Sequence, residues 1–160
     1  MNPQAVWVDV QQLRQIEAQA QQAQSHHWPA QAWRVMQDLQ TLAQGDFLGS
    51  DERLPWVLAM RQQCRQMFVR ATQAASTVLM ACGQGPQAIH GLESALKPDP
   101  IAEPLYQTLI RIRLAGGQPN DALRVYRRCR DMLSVLTGSK PSAQTDQLKA
   151  SIDQALLMEP

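Results

Sequence analysis

Apolar residues return every three or four positions along most of this chain, the signature of helices with one buried face. Val10, Leu13, Ile16, Ala20 and Ala23 predict a first helix over roughly 9–24. Asp9 is placed to cap it, with Gln12 as the reciprocal partner of a capping box. Val6-Trp7-Val8, just before it, is a short β-favouring run. Ser25-His26-His27 interrupts the pattern, and Pro29 suits the first turn of a second helix. That helix has the apolar face Ala32, Val35, Met36, Leu39 and Leu42, and ends at Gly45. After the loop Gly45-Asp46-Phe47-Leu48-Gly49-Ser50, either Ser50 or Asp51 can cap a long helix reaching about Cys82. Trp56, Ala59, Met60, Met67, Phe68, Ala71, Ala75 and Leu79 are its apolar positions, and Arg53, Arg61, Arg65 and Arg70 form a basic row on another face. Pro86 opens a helix over about 86–97. Asp99-Pro100 starts the next, to about Ala115, with Leu105, Tyr106, Leu109, Ile110 and Ile112 apolar. Asn120 or Asp121 begins another, to about Leu136, which Gly138 caps. Ser142 starts a last amphipathic helix through Leu148, Ile152, Leu156 and Leu157. The pattern therefore predicts about seven helices.

Within 69–132 the pattern occurs twice. Gly83, Ala88, Leu92 and Ala95 recur as Gly117, Ala122, Tyr126 and Cys129, at the 34-residue period of a tetratricopeptide repeat. Physically, each copy is a helical hairpin. One helix ends in a glycine turn, where a left-handed residue caps it, and a small residue then lets the returning helix approach closely. Lys97-Pro98-Asp99-Pro100 closes the first copy, since proline cannot continue a helix. Ala32 and Met36 would take the places of Ala88 and Leu92 in a degenerate earlier hairpin. The predicted fold is all-α: a tetratricopeptide-like right-handed superhelix of antiparallel hairpins over 6–45, 50–100 and 101–136, with 142–158 as a capping helix on the exposed end.

Composition narrows the function classes. A chain of 160 residues, 44% hydrophobic, 18% charged and 5% aromatic, fits one helical domain with a core. No apolar run of 18 or more residues is present, so no membrane span is expected. Asp9, Gln11 and Gln12 interrupt any signal-peptide layout. A formal charge of +1 exerts no global pull on nucleic acid or anionic lipid. Cys64, Cys82 and Cys129, odd in number and without a C-x-x-C pair, read as reduced core residues of a cytoplasmic protein.

The residue types of catalysis are present without its geometry. His26-His27 lacks the i, i+4 spacing of a helical metal site, and His90 reads as a partly buried structural histidine. Gly83-Gln84-Gly85-Pro86 lacks the lysine and hydroxyl of a phosphate-binding loop, and Cys82 stands at the helix end that disfavours a thiolate. No enzyme, cofactor or metal is expected. Between Arg111 and Arg130 lie six arginines (Arg111, Arg113, Arg124, Arg127, Arg128 and Arg130) against one acid, Asp121. Their split between two antiparallel helices, with Tyr126 in the core, favours solvated arginines over nucleic-acid binding. The first helices of successive repeats line the groove of such arrays. This maps to Arg70, Gln73, Thr77 and Met80, then Gln107, Arg111 and Leu114, as a surface for a peptide or helix.

Taken end to end, the chain resembles the bacterial transcriptional activator domain of SARP-type regulators. The residues that carry the resemblance are Val8-Asp9-Val10, Gly45-Asp46-Phe47-Leu48, Trp56, Arg61, Gly83, Ala88, Leu96 through Pro100, and Ala122-Leu123-Arg124-Val125-Tyr126-Arg127-Arg128. The resemblance implies an all-helical regulatory domain of a cytoplasmic activator. In that family it lies beside a DNA-binding domain and mediates self-association or relays a signal to it. Its expected partners are proteins: its own DNA-binding domain in a longer chain, or a second copy. The alternative is a general adaptor or chaperone that binds a peptide segment. In the activator reading, Val6-Trp7-Val8 would end the link to a DNA-binding segment lying outside this sequence.

Overall fold

The computed structural model describes residues 3–43 and 55–158. Among these are seven α-helices and no strand: α1 (Pro3–His26), α2 (Pro29–Ala43), α3 (Pro55–Ala81), α4 (Gly85–Ala95), α5 (Glu103–Ala115), α6 (Pro119–Thr137) and α7 (Ala143–Met158). The Gly45-Asp46-Phe47-Leu48 loop and the caps expected at Ser50 or Asp51 lie outside the described residues, as do the side chains of Trp7, Asp9 and Trp56.

The helices are joined by a recurring cap. At the end of α3, Gly83 takes φ +73°, its N–H bonds to Met80 O at 3.1 Å, and Gln84 N–H reaches Leu79 O at 2.7 Å. At the end of α5, Gly117 takes φ +65°, with Gly117 N–H on Leu114 O at 3.0 Å and Gln118 N–H on Arg113 O at 2.9 Å. This pair of bonds satisfies carbonyls that a helix end leaves open and sends the chain back on itself. The turn after α1 makes the longer-range of these two bonds without glycine. His27 takes φ +54°, and Trp28 N–H bonds to Ala23 O at 3.0 Å.

The opening of the returning helix recurs as well. A proline stands at the start of each one (Pro29, Pro86 and Pro119), and the N–H groups of Ala32, Ala88 and Ala122 bond to Trp28 O, Gln84 O and Gln118 O. All three alanines are completely buried, and Met36, Leu92 and Tyr126, four residues further on, are buried too. Anything larger than alanine would hold the paired helices apart.

Two compact units result, α1–α4 and α5–α7. In the first, α3 is the central element, in contact with α1, α2 and α4. Contact on several sides widens its buried face beyond the predicted stripe. Cys64, Thr72, Ser76 and Val78 are buried with Met67, Phe68, Ala71, Ala75 and Leu79, whereas Ala59 is exposed and Met60 half-buried. The buried hydroxyls are satisfied within the helix, Thr72 donating to Phe68 O at 2.8 Å and Ser76 to Thr72 O at 2.5 Å. Where α2 meets α4, a Cβ on Gly91 would stand 2.7 Å from Met36 Sδ, so any larger residue there would oblige the flexible Met36 side chain to shift.

In the second unit the α5–α6 hairpin buries Leu105, Leu109, Ile110, Ala122 and Cys129, and α7 packs on both helices. A polar tie fixes α7. Glu103 Oε1 accepts the Ser142 N–H at 2.7 Å and the Thr145 hydroxyl at 2.5 Å, and Gln107 Nε2 donates to Thr145 Oγ1 at 2.9 Å. Tyr126 OH donates to Asp146 Oδ1 at 3.0 Å. Ile152 is buried, and Gln147, Ala150, Ser151, Asp153 and Gln154 make an exposed outer face of the kind that closes a helical array.

Several positions depart from the pattern. α1 begins at Pro3, so Val6-Trp7-Val8 is helical and Asp9 lies inside the helix rather than capping it. β-Branched residues cost a helix only tenths of a kcal/mol each, roughly 0.5, which a continuing helix outweighs. α5 begins at Glu103, because Pro98, Asp99 and Pro100 first form a turn in which Ala102 N–H bonds to Asp99 O at 3.1 Å. Leu157 is 86% exposed, since it lies about 100° around the helix from Leu156 and leaves the buried stripe.

These contacts predict how two kinds of variant behave. The exposed His27 holds a left-handed backbone that glycine adopts without strain, so His27→Gly should stabilise the chain by roughly 0.5–1 kcal/mol and raise the thermal midpoint. Gly117→Ala should lower it, and equal midpoints for both variants would contradict the cap. In the α7 tie, burial opposes ionisation of Glu103, yet the Thr145 and Ser142 hydrogen bonds prevail and hold its pKa below the ordinary carboxylate value. Its stabilisation is therefore present above the unfolded-state pKa of roughly 4.3 and is lost as pH falls through the lower folded value. Thr145→Val should cost about 1–3 kcal/mol at neutral pH and flatten this acid limb, as measured by denaturant midpoints across pH.

Candidate interaction surface

The seven residues expected to line a groove divide between the two units. In the first, Arg70, Gln73, Thr77 and Met80 lie at helical spacing along α3. Arg70 is exposed and its Nε donates to Glu17 Oε1 of α1 at 2.6 Å, an ion pair that joins two first helices. That bond holds the Arg70 pKa above its ordinary value. Thr77 is exposed and returns its hydroxyl to Gln73 O at 2.9 Å, while Gln73 and Met80 are half-buried. In the second unit, Arg111 is exposed and Leu114 half-buried. Gln107 is buried, its amide turned to Thr145. It holds α7 and is not a surface residue. Only α7, packed along that stripe, distinguishes Gln107 from the α3 positions.

The arginines of α5 and α6 turn to different neighbours. Arg113 Nη1 donates to Gln118 Oε1 at 2.8 Å and pairs with Asp121 Oδ2 at 3.3 Å, and Arg124 pairs with the same carboxylate. Arg128 lies 5.2 Å from the centre of the Tyr106 ring, whose hydroxyl donates to Pro100 O at 2.9 Å. Arg130 pairs with its neighbour Asp131 at 2.9 Å. Asp121 is thus held between two guanidiniums at the start of α6, where the helix dipole also favours a negative charge. Most of this cationic run serves the hairpin itself.

The groups considered for chemistry are apart from one another. His26 and His27 are exposed, and the His26 ring stacks on Trp28 at 4.6 Å. His90 is exposed rather than partly buried, with its ring 6.1 Å from that of Trp33. Cys64 and Cys129 are buried, and burial pushes the Cys129 thiol up to about 12, so it stays protonated at neutral pH. Cys82 is not a core residue. It is exposed one residue past α3, with its thiol 3.8 Å from His27 O. Burial and the bond to Asp146 raise the Tyr126 pKa as well. Among the described residues no three His, Cys, Asp or Glu side chains are grouped to hold a metal ion. Among them, too, no helix is long and apolar enough to cross a membrane.

Comparison with known proteins assigns the family. A solved structure, Mycobacterium tuberculosis EmbR in complex with a low-affinity phosphopeptide, is similar with a TM-score of 0.65 and 23% identity, over 95% of this chain and 39% of EmbR. A likeness at that identity is one of fold, and this chain spans well under half of EmbR's length. No curated protein matches. The family model of the bacterial transcriptional activator domain matches residues 8–153, nearly the whole chain. With its helical hairpins, the chain belongs to the bacterial transcriptional activator domain family.

Proposed function

We propose that this chain is the regulatory, protein-interaction domain of a cytoplasmic bacterial transcription activator, acting by self-association or by relaying a signal to a DNA-binding domain of a longer protein. The observation that carries the reading is the family match over 8–153. The structure supports it with a scaffold of helical hairpins. Along α3, the exposed Arg70 and Thr77 beside the half-buried Gln73 and Met80 offer a mixed surface of the type that contacts another helix. EmbR, 39% of whose length this chain's fold matches, was solved in complex with a phosphopeptide. A general peptide-binding adaptor explains the hairpins equally well but not the family match.

Light scattering across a concentration series tests the self-association arm. The mass should rise from the monomer value of 17.9 kDa towards twice that, and Thr77→Arg, an exposed change on α3, should reverse the rise. A constant monomer mass would remove self-association and leave relay within one chain. The domain alone should show no steeply salt-dependent binding to duplex DNA, because Arg113, Arg124, Arg128 and Arg130 are engaged within the hairpin.

A further inference from the structure

Between α1 and α2 the surface of the first unit opens into a recess of about 580 Å3, lined by Gln19, Ala30, Gln31, Arg34 and Gln37. The volume lies within the range of small-molecule sites, roughly 300–1,000 Å3. It exists because a short side chain, Ala30, stands among four long ones. Gln31 Nε2 donates to Gln19 O at 3.3 Å, which ties the two walls together.

The lining chemistry is one-sided. Three carboxamides and one guanidinium supply it, with no carboxylate among them. Arg70, Arg113, Arg124 and Arg130 each pair with an acid, whereas Arg34, like Arg14, Arg111 and Arg127, does not; Arg34 is the one among these that lines the recess. Among the described residues Arg34 has no ion pair, although Asp38 follows it by one turn on the same helix. An exposed guanidinium facing a concavity offers a planar fork that fits a carboxylate or phosphate with two hydrogen bonds. The glutamine amides, each able to donate and accept, match hydroxyl or amide groups beside that anion.

We infer that this recess is a binding site for a small anionic molecule carrying a carboxylate or phosphate together with uncharged polar groups. Arg34 takes the anion, and Gln19, Gln31 and Gln37 take its neighbours. Because the walls belong to two helices of one hairpin, an occupant would brace α1 against α2. The inference stands independently of the regulatory reading. If both hold, the recess is where an effector reaches the domain.

The test is side-chain and backbone 1H–15N NMR of the full 160-residue chain, titrated with citrate or with inorganic phosphate, and with glycerol as the uncharged control. The expected result is a saturable shift at Arg34 Nε–H and at the Gln19, Gln31 and Gln37 amides, with Kd below about 1 mM for one anion. Saturation by citrate alone identifies a carboxylate site, and by phosphate alone a phosphate site. Arg34→Gln should weaken binding about tenfold, and Arg34→Lys, which keeps the charge without the fork, by less. Arg127→Gln, an exposed change on α6, should leave it unchanged. The inference is overturned if neither anion saturates, if Arg34→Gln binds like the parent, or if the shifts spread equally over the arginines of α6.

Discussion

The structure depends on one backbone arrangement, the left-handed residue that ends a helix and turns the chain back. At Gly83 and Gly117 the same two hydrogen bonds close the helix, and the returning helix opens with a proline, Pro86 or Pro119. His27 accepts the same conformation with a side chain in place. The cap fixes where the returning helix begins, and this sets which of its residues faces back across the hairpin. That position is alanine each time, completely buried. Helix spacing, the choice of core side chains and the stacking within each unit follow from this small contact.

Polar groups inside the molecule serve the same end. Thr72 and Ser76 lie in the widest buried face of the first unit but bond to their own helix, so they cost little and leave room for neighbours. Glu103, Gln107 and Thr145 do for α7 what a short turn does within a hairpin, because a loop of 138–142 does not by itself fix the helix it leads to. Three of the arginines of α5 and α6 obey this rule: Asp121 draws two of them, and the Tyr106 ring a third. Surface charge in this domain largely holds its own helices.

Much of this was legible in the sequence, for a physical reason in each case. The face Ala32, Val35, Met36, Leu39 and Leu42 is the buried set of α2, and Leu105, Tyr106, Leu109, Ile110 and Ile112 are buried on α5, because strict three-and-four spacing has few other solutions. The 34-residue recurrence located both glycine caps. The features that escaped the pattern depend on neighbours. Gln107 reads as a solvent-facing polar residue until α7 covers it. Cys82 reads as core from composition, yet it stands one residue beyond the packed end of α3. His27 carries no sign in its residue type that it takes a glycine's place. The family emerged from residues spread along the chain. Which surface meets a partner is less legible, since Arg70 serves packing at the spot where the repeat pattern places recognition.

The central claim is that three hairpins are closed by the same cap, and amide hydrogen exchange tests it most directly. The N–H groups of Trp28, Gln84 and Gln118 lie outside the helices, yet each is bonded to a carbonyl five residues earlier. They should exchange slowly, with protection comparable to the last turns of α1, α3 and α5. Rapid exchange at Gln84 and Gln118, as for free loop amides, would contradict the account. The same result at Trp28 alone would remove the first hairpin from the series.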